Sequence, residues 1–160
     1  MRIAIIAAGD MGAGVGARLH AKGATVTTSL AHRGAASAER ARRAGMVDID
    51  DDETLIAQSD LLLSILTPAE AEGLARRLAP ALAMAQGRVL YADCNAVAPE
   101  TVRRVADIVA ATGSRFADIG IIGGPPRPDG DTPRWYASGA ALDELRPRQD
   151  FGLDIRPVEG

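Results

Sequence analysis

The sequence predicts an α/β fold: a doubly wound, mostly parallel sheet with helices on both faces. Three observations carry this. Ile3 to Ile6 and Leu61 to Leu66 (broken only by Ser64) are short apolar runs of the kind found in strands buried on both faces. Between such runs lie stretches of helical periodicity, as where Met11, Val15 and Leu19 share one face and Val102, Val105 and Val109 another. The first run also passes through a glycine cluster directly into a helix. That is the Rossmann-type strand–turn–helix, whose N-terminal amides and dipole favour the pyrophosphate of a dinucleotide.

The glycine cluster can be framed in two ways. Ala7-Ala8-Gly9-Asp10-Met11-Gly12 places Ala in the first glycine slot, and Gly12-Ala13-Gly14-Val15-Gly16-Ala17 fits the G-x-G-x-x-A pattern more closely. The second frame begins too far beyond Ile6 and would put Asp10 and Met11 in or beside a buried strand. The first is therefore preferred, with Ala8, Gly9, Asp10, Met11 and Gly12 around the pyrophosphate. Gly14 and Gly16 lower helix propensity and so mark close backbone contacts. A strand–turn–helix without a ligand remains the plain alternative.

Composition limits the rest. The chain has 160 residues, enough for one domain with a real core, and few aromatics, so small aliphatics must fill that core. A net charge of −3 and the absence of a long basic cluster argue against nucleic acid. No apolar run reaches membrane-spanning length, and the interrupted N-terminal run does not suit a signal peptide. The single Cys94 excludes an internal disulfide and fits a reducing, cytoplasmic setting. Lys22 is the only lysine.

The remaining elements follow in order. Thr25 to Leu30 reads as the second strand, whose end meets the adenosine ribose in this fold. No acid occurs between Asp10 and Glu39; Ser29, His32, Arg33 and Ser37 stand there instead. This predicts NADP rather than NAD, with Arg33 as the main ligand of the 2′-phosphate and Ser29 beside it. A solvated Arg33 is the alternative. His32 falls beside the adenine or in solvent. Ala35 to Ala44 reads as a helix closed by Gly45, with a short strand near Met46 and Val47. The acids Asp48, Asp50, Asp51 and Asp52 precede Glu53-Thr54-Leu55-Ile56-Ala57, which suits a helix N-terminus better than a metal site.

Thr67-Pro68 ends the Leu61–Leu66 strand, and Ala69 to Leu78 reads as a helix stopped by Pro80. Leu66 and Thr67 then fall along the nicotinamide half of the cofactor. Val89 to Ala92 is the next strand. Asn95, just beyond it, offers donors and acceptors to a nicotinamide amide or a substrate. Cys94 reads as a small buried residue. Pro99 to Ala111 is a helix ended by Gly113, and Phe116 to Ile122 is a strand. Gly123-Gly124-Pro125-Pro126 then makes either a close approach to a ligand or a tight exit turn. Trp135 to Ser138 reads as a late strand, Ala140 to Leu145 as a short helix, and Leu153 to Val158 as a last strand.

In order and spacing these pieces resemble the N-terminal NADP-binding domain of the β-hydroxyacid dehydrogenase superfamily, which includes 6-phosphogluconate and 3-hydroxyisobutyrate dehydrogenases. The resemblance is closest to the bacterial phosphogluconate-dehydrogenase-like branch. It is carried by Ala7 to Gly12, Arg33, Ile65-Leu66-Thr67-Pro68, Asp93-Cys94-Asn95-Ala96-Val97-Ala98-Pro99 and Asp118-Ile119-Gly120-Ile121-Ile122-Gly123-Gly124. It implies hydride transfer between the nicotinamide and a small-molecule substrate, a 3-hydroxy acid, with a lysine as general acid/base. That lysine is expected on a long helix past the last strand, in a helical domain through which homodimers form. These 160 residues are accordingly expected to lack a catalytic residue, as a fragment or a short homologue. The family's Ser-Gly-Gly substrate loop corresponds to Ile122, Gly123 and Gly124, with Ile122 in place of the serine. A non-catalytic cofactor-binding or interaction module, and an imine-reductase-like relative without the lysine, are the alternatives.

Overall fold

The computed structural model describes residues 1–6, 9–31, 33–127, 130–138, 142–145 and 151–158. Among them, eight strands form one sheet in the order β3-β2-β1-β4-β5-β6-β7-β8. The strands are β1 (Arg2–Ile6), β2 (Thr25–Thr28), β3 (Val47–Asp48), β4 (Leu61–Ser64), β5 (Leu90–Asp93), β6 (Arg115–Ile122), β7 (Arg134–Ser138) and β8 (Asp154–Pro157). All pairs are parallel except β6 with β7. From β1 the chain winds outward to β2 and β3, then returns to build β4, β5 and β6 on the other side. The crevice between the carboxyl ends of β1 and β4 is therefore the switch point where open α/β sheets bind ligands.

Helices cover both faces, as the sequence predicts. Helices α1 (Asp10–Ala21) and α2 (Ala35–Arg43) pack Val15, Leu19 and Ala41 against Ile3, Ile5, Val26, Leu61 and Leu63. Helices α3 (Asp52–Ala57), α4 (Ala71–Met84) and α5 (Pro99–Ala110) pack Leu55, Leu74, Leu78, Leu82, Val105 and Val109 against Ala4, Ile6, Leu62 and Tyr91. Alternate residues of β1 thus enter opposite cores, which is why its sequence is apolar throughout. A short helix α6 (Leu142–Leu145) precedes β8. Of the expected helix Ala140 to Leu145, Ala140 and Ala141 lie outside the described residues.

Three expectations need correction. Pro80 does not stop a helix: a 3₁₀ turn at Pro68–Glu70 leads into α4, which runs through Pro80 to Met84. Pro80 and Arg76, whose carbonyl it leaves without an amide partner, both lie on the exposed face of α4. Burial of Leu74, Leu78, Ala81 and Leu82 on the other face outweighs the local cost, since each fully buried leucine contributes roughly 1.5–3 kcal/mol. The β4 ladder ends at Ser64 rather than Leu66: the Ile65 amide makes its last bond, to the Ile6 carbonyl of β1, and the Leu66 amide turns away to Asn95. Likewise β2 ends at Thr28, and the Leu30 amide donates to Asp48 Oδ1 at 3.0 Å.

The acidic stretch acts as a helix cap. Asp51 Oδ1 accepts the Thr54 amide at 2.7 Å and Oδ2 the Thr54 hydroxyl at 2.9 Å, which holds the carboxyl below its ordinary pKa. Gly45 and Gly113 follow α2 and α5 with φ of +78° and +84°, as expected of residues that close helices.

Candidate functional site

At the switch point the chain leaves β1, and Gly9 caps α1 in an extended conformation with no side-chain cap. The first intrahelical bond runs from the Ala13 amide to the Gly9 carbonyl at 2.8 Å. Helix geometry therefore gives the amides of Asp10, Met11 and Gly12 no carbonyl to pair with. The space where a Gly9 Cβ would stand is open, with nothing within 4 Å. An anion can approach the backbone there, held by the orphan amides and the helix dipole. Ala8 and Ala7, the first positions of the fingerprint, lie outside the described residues.

A cleft of about 330 Å³ opens at this turn. Gly9, Asp10, Met11 and Gly12 form one wall; Arg33, Ser37 and Arg40, from the β2–α2 segment, form a second. Ile65, Leu66, Thr67 and Glu70, beyond β4, form the third. The fold thus brings the glycine turn, Arg33, Leu66 and Thr67 to one cleft. Ser29 is buried, at 8% exposure, and does not line the cleft. His32 lies outside the described residues.

Two cations face this cleft. The Arg33 guanidinium stands 3.9 Å from Glu70 Oε1, and Glu70 Oε2 accepts the Thr67 hydroxyl at 2.9 Å. Glu70 thereby links Thr67 to Arg33 across the cleft. Arg40 Nε stands 4.0 Å from Asp10 Oδ1, and its Nη2 donates to Ser37 Oγ at 3.3 Å. Sequence reasoning missed Arg40 and Glu70. The signal for Arg40 was its spacing: Ser37 and Arg40 are three apart on a helix that begins just after Arg33, so they share a face.

Asn95 sits beneath the third wall, 6% exposed. Its Oδ1 accepts the Leu66 amide at 2.6 Å and its Nδ2 donates to Ser64 Oγ at 3.0 Å. The side chain faces its own fold and acts on the cleft through Leu66. Its own amide donates to Asp93 Oδ1 at 2.9 Å. Asp93 pairs in register with Asp118 across β5 and β6, so two carboxylates lie side by side. Burial raises the pKa of each, and the Asp118 charge raises that of Asp93 further. Cys94 is buried as expected, and burial pushes its thiol well above the ordinary thiol pKa, which disfavours the thiolate.

A second cleft, of about 370 Å³, lies at the end of β6. Ile122, Gly123, Gly124 and Pro125 line one side; Asp131, Thr132, Pro133 and Arg134 line the other. Gly123 adopts φ +127°, and Pro133 stands 3.1 Å from where its Cβ would be, so glycine is required there. Ile122 is 64% exposed and pairs in register with Arg134. Lys22 caps the far end of α1, away from both clefts.

Residues 2–132 match the model of the NAD-binding domain of 6-phosphogluconate dehydrogenase. The chain belongs to this family. No curated protein matches it significantly. Among solved structures, a conserved protein of unknown function reported as similar to 3-hydroxyacid dehydrogenases is 30% identical. It superposes with a TM-score of 0.86 over 99% of this chain and 58% of its own. Mycobacterium tuberculosis 3-hydroxyisobutyrate dehydrogenase, solved with L-serine, is 23% identical with a TM-score of 0.78, over 98% of this chain and 53% of its own. Myxococcus stipitatus imine reductase, solved with NADP+, is 20% identical with a TM-score of 0.77, over 99% and 55%. A variant of it was solved with NAD+. The 6-phosphogluconate dehydrogenase-type domain described here spans a little over half the length of these relatives. No helix among its described residues is long and apolar enough to cross a membrane.

Proposed function

We propose that the chain is the NADP-binding domain of an oxidoreductase that passes a hydride between a nicotinamide cofactor and a small 3-hydroxy-acid-like substrate. One observation carries the cofactor choice: Arg33, Ser37 and Arg40 line the same cleft as the glycine turn, with no acid between Asp10 and Glu39. In this fold an acid after the second strand selects the ribose hydroxyl, whereas arginine accommodates the 2′-phosphate. The amides of Asp10, Met11 and Gly12 would hold the pyrophosphate, and Arg33, Ser37 and Arg40 the 2′-phosphate. Leu66 and Thr67 would close the facing wall, with Asn95 fixing Leu66. The nicotinamide, when bound, supplies or accepts the hydride; Gly123 and Gly124 would face the substrate. The lone, buried Cys94 suits a reducing compartment such as the cytoplasm.

Calorimetric titration of the chain with NADPH and with NADH tests this. NADPH is expected to bind about tenfold more tightly or better, the worth of one charge-assisted hydrogen bond. Equal affinities would overturn the NADP assignment, and binding of neither would overturn the cofactor site.

Ile122 supports a second reading. The family's substrate loop carries a serine hydroxyl there, and Ile122 makes that one side of the second cleft apolar, facing Asp131, Thr132 and Arg134 on the other. An imine substrate, as in the imine reductases, does not need the missing hydroxyl, whereas Arg134 across the cleft would suit the carboxylate of a hydroxy acid. Titrating the NADPH-loaded chain with a cyclic imine and with a 3-hydroxy acid separates the two.

A further inference from the structure

The loop between β6 and β7 is fastened to α1 at two places. Pro125 and Pro126 lie against Gly14: a Cβ there would stand 3.0 Å from Pro125 Cβ and 3.1 Å from the Pro126 carbonyl oxygen. One turn further along the same helix face is Arg18. Its Nη1 donates to the Arg127 carbonyl at 3.0 Å and to the Gly130 carbonyl at 2.6 Å. Its Nε donates to the Gly152 carbonyl at 3.0 Å. One guanidinium therefore grips both arms of the loop and the approach to β8, more than 100 residues away in sequence. The Arg127 amide donates to the Asp131 carbonyl at 3.1 Å, which ties the two arms of the loop to each other beside Arg18. Gly152, at φ +88°, leaves the room: a Cβ there would meet Arg18 Nε at 2.7 Å.

The two arms of this loop lead to Gly123–Gly124 and to Pro133–Arg134, the two sides of the second cleft. We propose that Arg18 is a positioning residue that mounts the substrate-side cleft on the nucleotide-binding helix, with Gly14 as the second point of the same seat. The inference rests in part on the cofactor reading above. Its physical basis is that α1 carries the pyrophosphate site at its N-terminus and this loop along its flank. A shift of α1 on seating the cofactor is then passed to Gly123 and Gly124 through a rigid helix. Lysine carries its three donors on one nitrogen at the end of a flexible stem, so it cannot reach at once the carbonyls that Nε and Nη1 of Arg18 serve from two points of a planar fork.

Hydrogen exchange read by mass spectrometry tests this on the chain itself. In Arg18→Ala the amides of Gly123, Gly124, Arg127, Gly130, Asp131, Thr132 and Arg134 are expected to exchange about tenfold faster or more, the effect of losing a charge-assisted bond. Those of Ile3 to Ile6 should keep wild-type rates, and Arg18→Lys should fall between. Gly14→Leu, which favours the helix but pushes Pro125 away, is expected to speed the same loop. Unchanged loop exchange in Arg18→Ala, or equal acceleration in β1, would overturn the proposal. NADPH should further slow loop exchange in the wild type and not in Arg18→Ala; equal protection in both would also overturn it. If NADPH binds neither protein, the cofactor reading fails alone, and the ligand-free comparison still decides the role of Arg18.

Discussion

Asn95 Oδ1 accepts the Leu66 amide hydrogen at 2.6 Å, which ties the loop after β5 to the turn after β4. Both turns leave the sheet at its carboxyl edge, and Leu66 lines the nucleotide cleft. The neighbouring Ile65 amide reaches back to the Ile6 carbonyl at 2.6 Å. The third wall of the cleft is thus suspended between β1 and β5.

Replacing Asn95 with alanine leaves the Leu66 amide and the Ser64 hydroxyl without this partner. Each buried polar group left unsatisfied costs about 1–3 kcal/mol. Asn95→Ala is expected to lower unfolding stability by about 2–4 kcal/mol and to weaken NADPH binding with it. Urea unfolding and calorimetry read the two effects. A stability change under about 0.5 kcal/mol, the ordinary range of surface substitutions, would show that the bond holds nothing.

Arg33 and Glu70 make opposite predictions for the cofactor. Arg33→Ala is expected to weaken NADPH about tenfold or more and to leave NADH nearly unchanged, given the strength of a charge-assisted bond. Glu70 competes with a phosphate for Arg33 across 3.9 Å. Glu70→Gln should therefore tighten NADPH about two- to fivefold, in line with an exposed ion pair. Equal loss for both cofactors in Arg33→Ala would remove the 2′-phosphate role.

The Asp93–Asp118 pair predicts a pH dependence. Burial raises both pKa values in the folded state, so the folded protein binds protons more readily than the unfolded chain. Their contribution to stability is fully present below the unfolded carboxyl pKa, about 3.9, and is lost as pH rises through the folded values. Asp118→Asn removes one of these groups and relieves the other. It should be more stable than wild type at pH 7, with the gap closing toward pH 4 on urea unfolding at both values. A gap that widens on acidification would reverse the sign of the argument.

Pro80→Ala is expected to stabilise the chain by about 1–3 kcal/mol, because an amide at position 80 restores the bond to the Arg76 carbonyl. Pro80 is exposed, so no packing is lost. Thermal unfolding checks this; a lower midpoint would mean that α4 depends on a bend at Pro80.

The sequence alone determined the alternation of strands and helices, since apolar periodicity reports which faces must leave water. It also determined the glycine turn, because only certain residues tolerate that backbone, and it marked Arg33 by its place after the second strand. The tertiary structure decided the rest. At Pro80 a local breaker competes with distant burial, and only the packed sheet shows that burial prevails. Asn95 was read as facing a ligand; its partners Ser64 and Leu66 are 31 and 29 residues away, so no local pattern could reveal that it braces the cleft. Arg40 and Glu70 entered the cleft, and Arg18 grasped a loop more than 100 residues on, through the same long-range geometry. Periodicity fixes which face a residue occupies, whereas which elements meet at that face follows from how the sheet is wound.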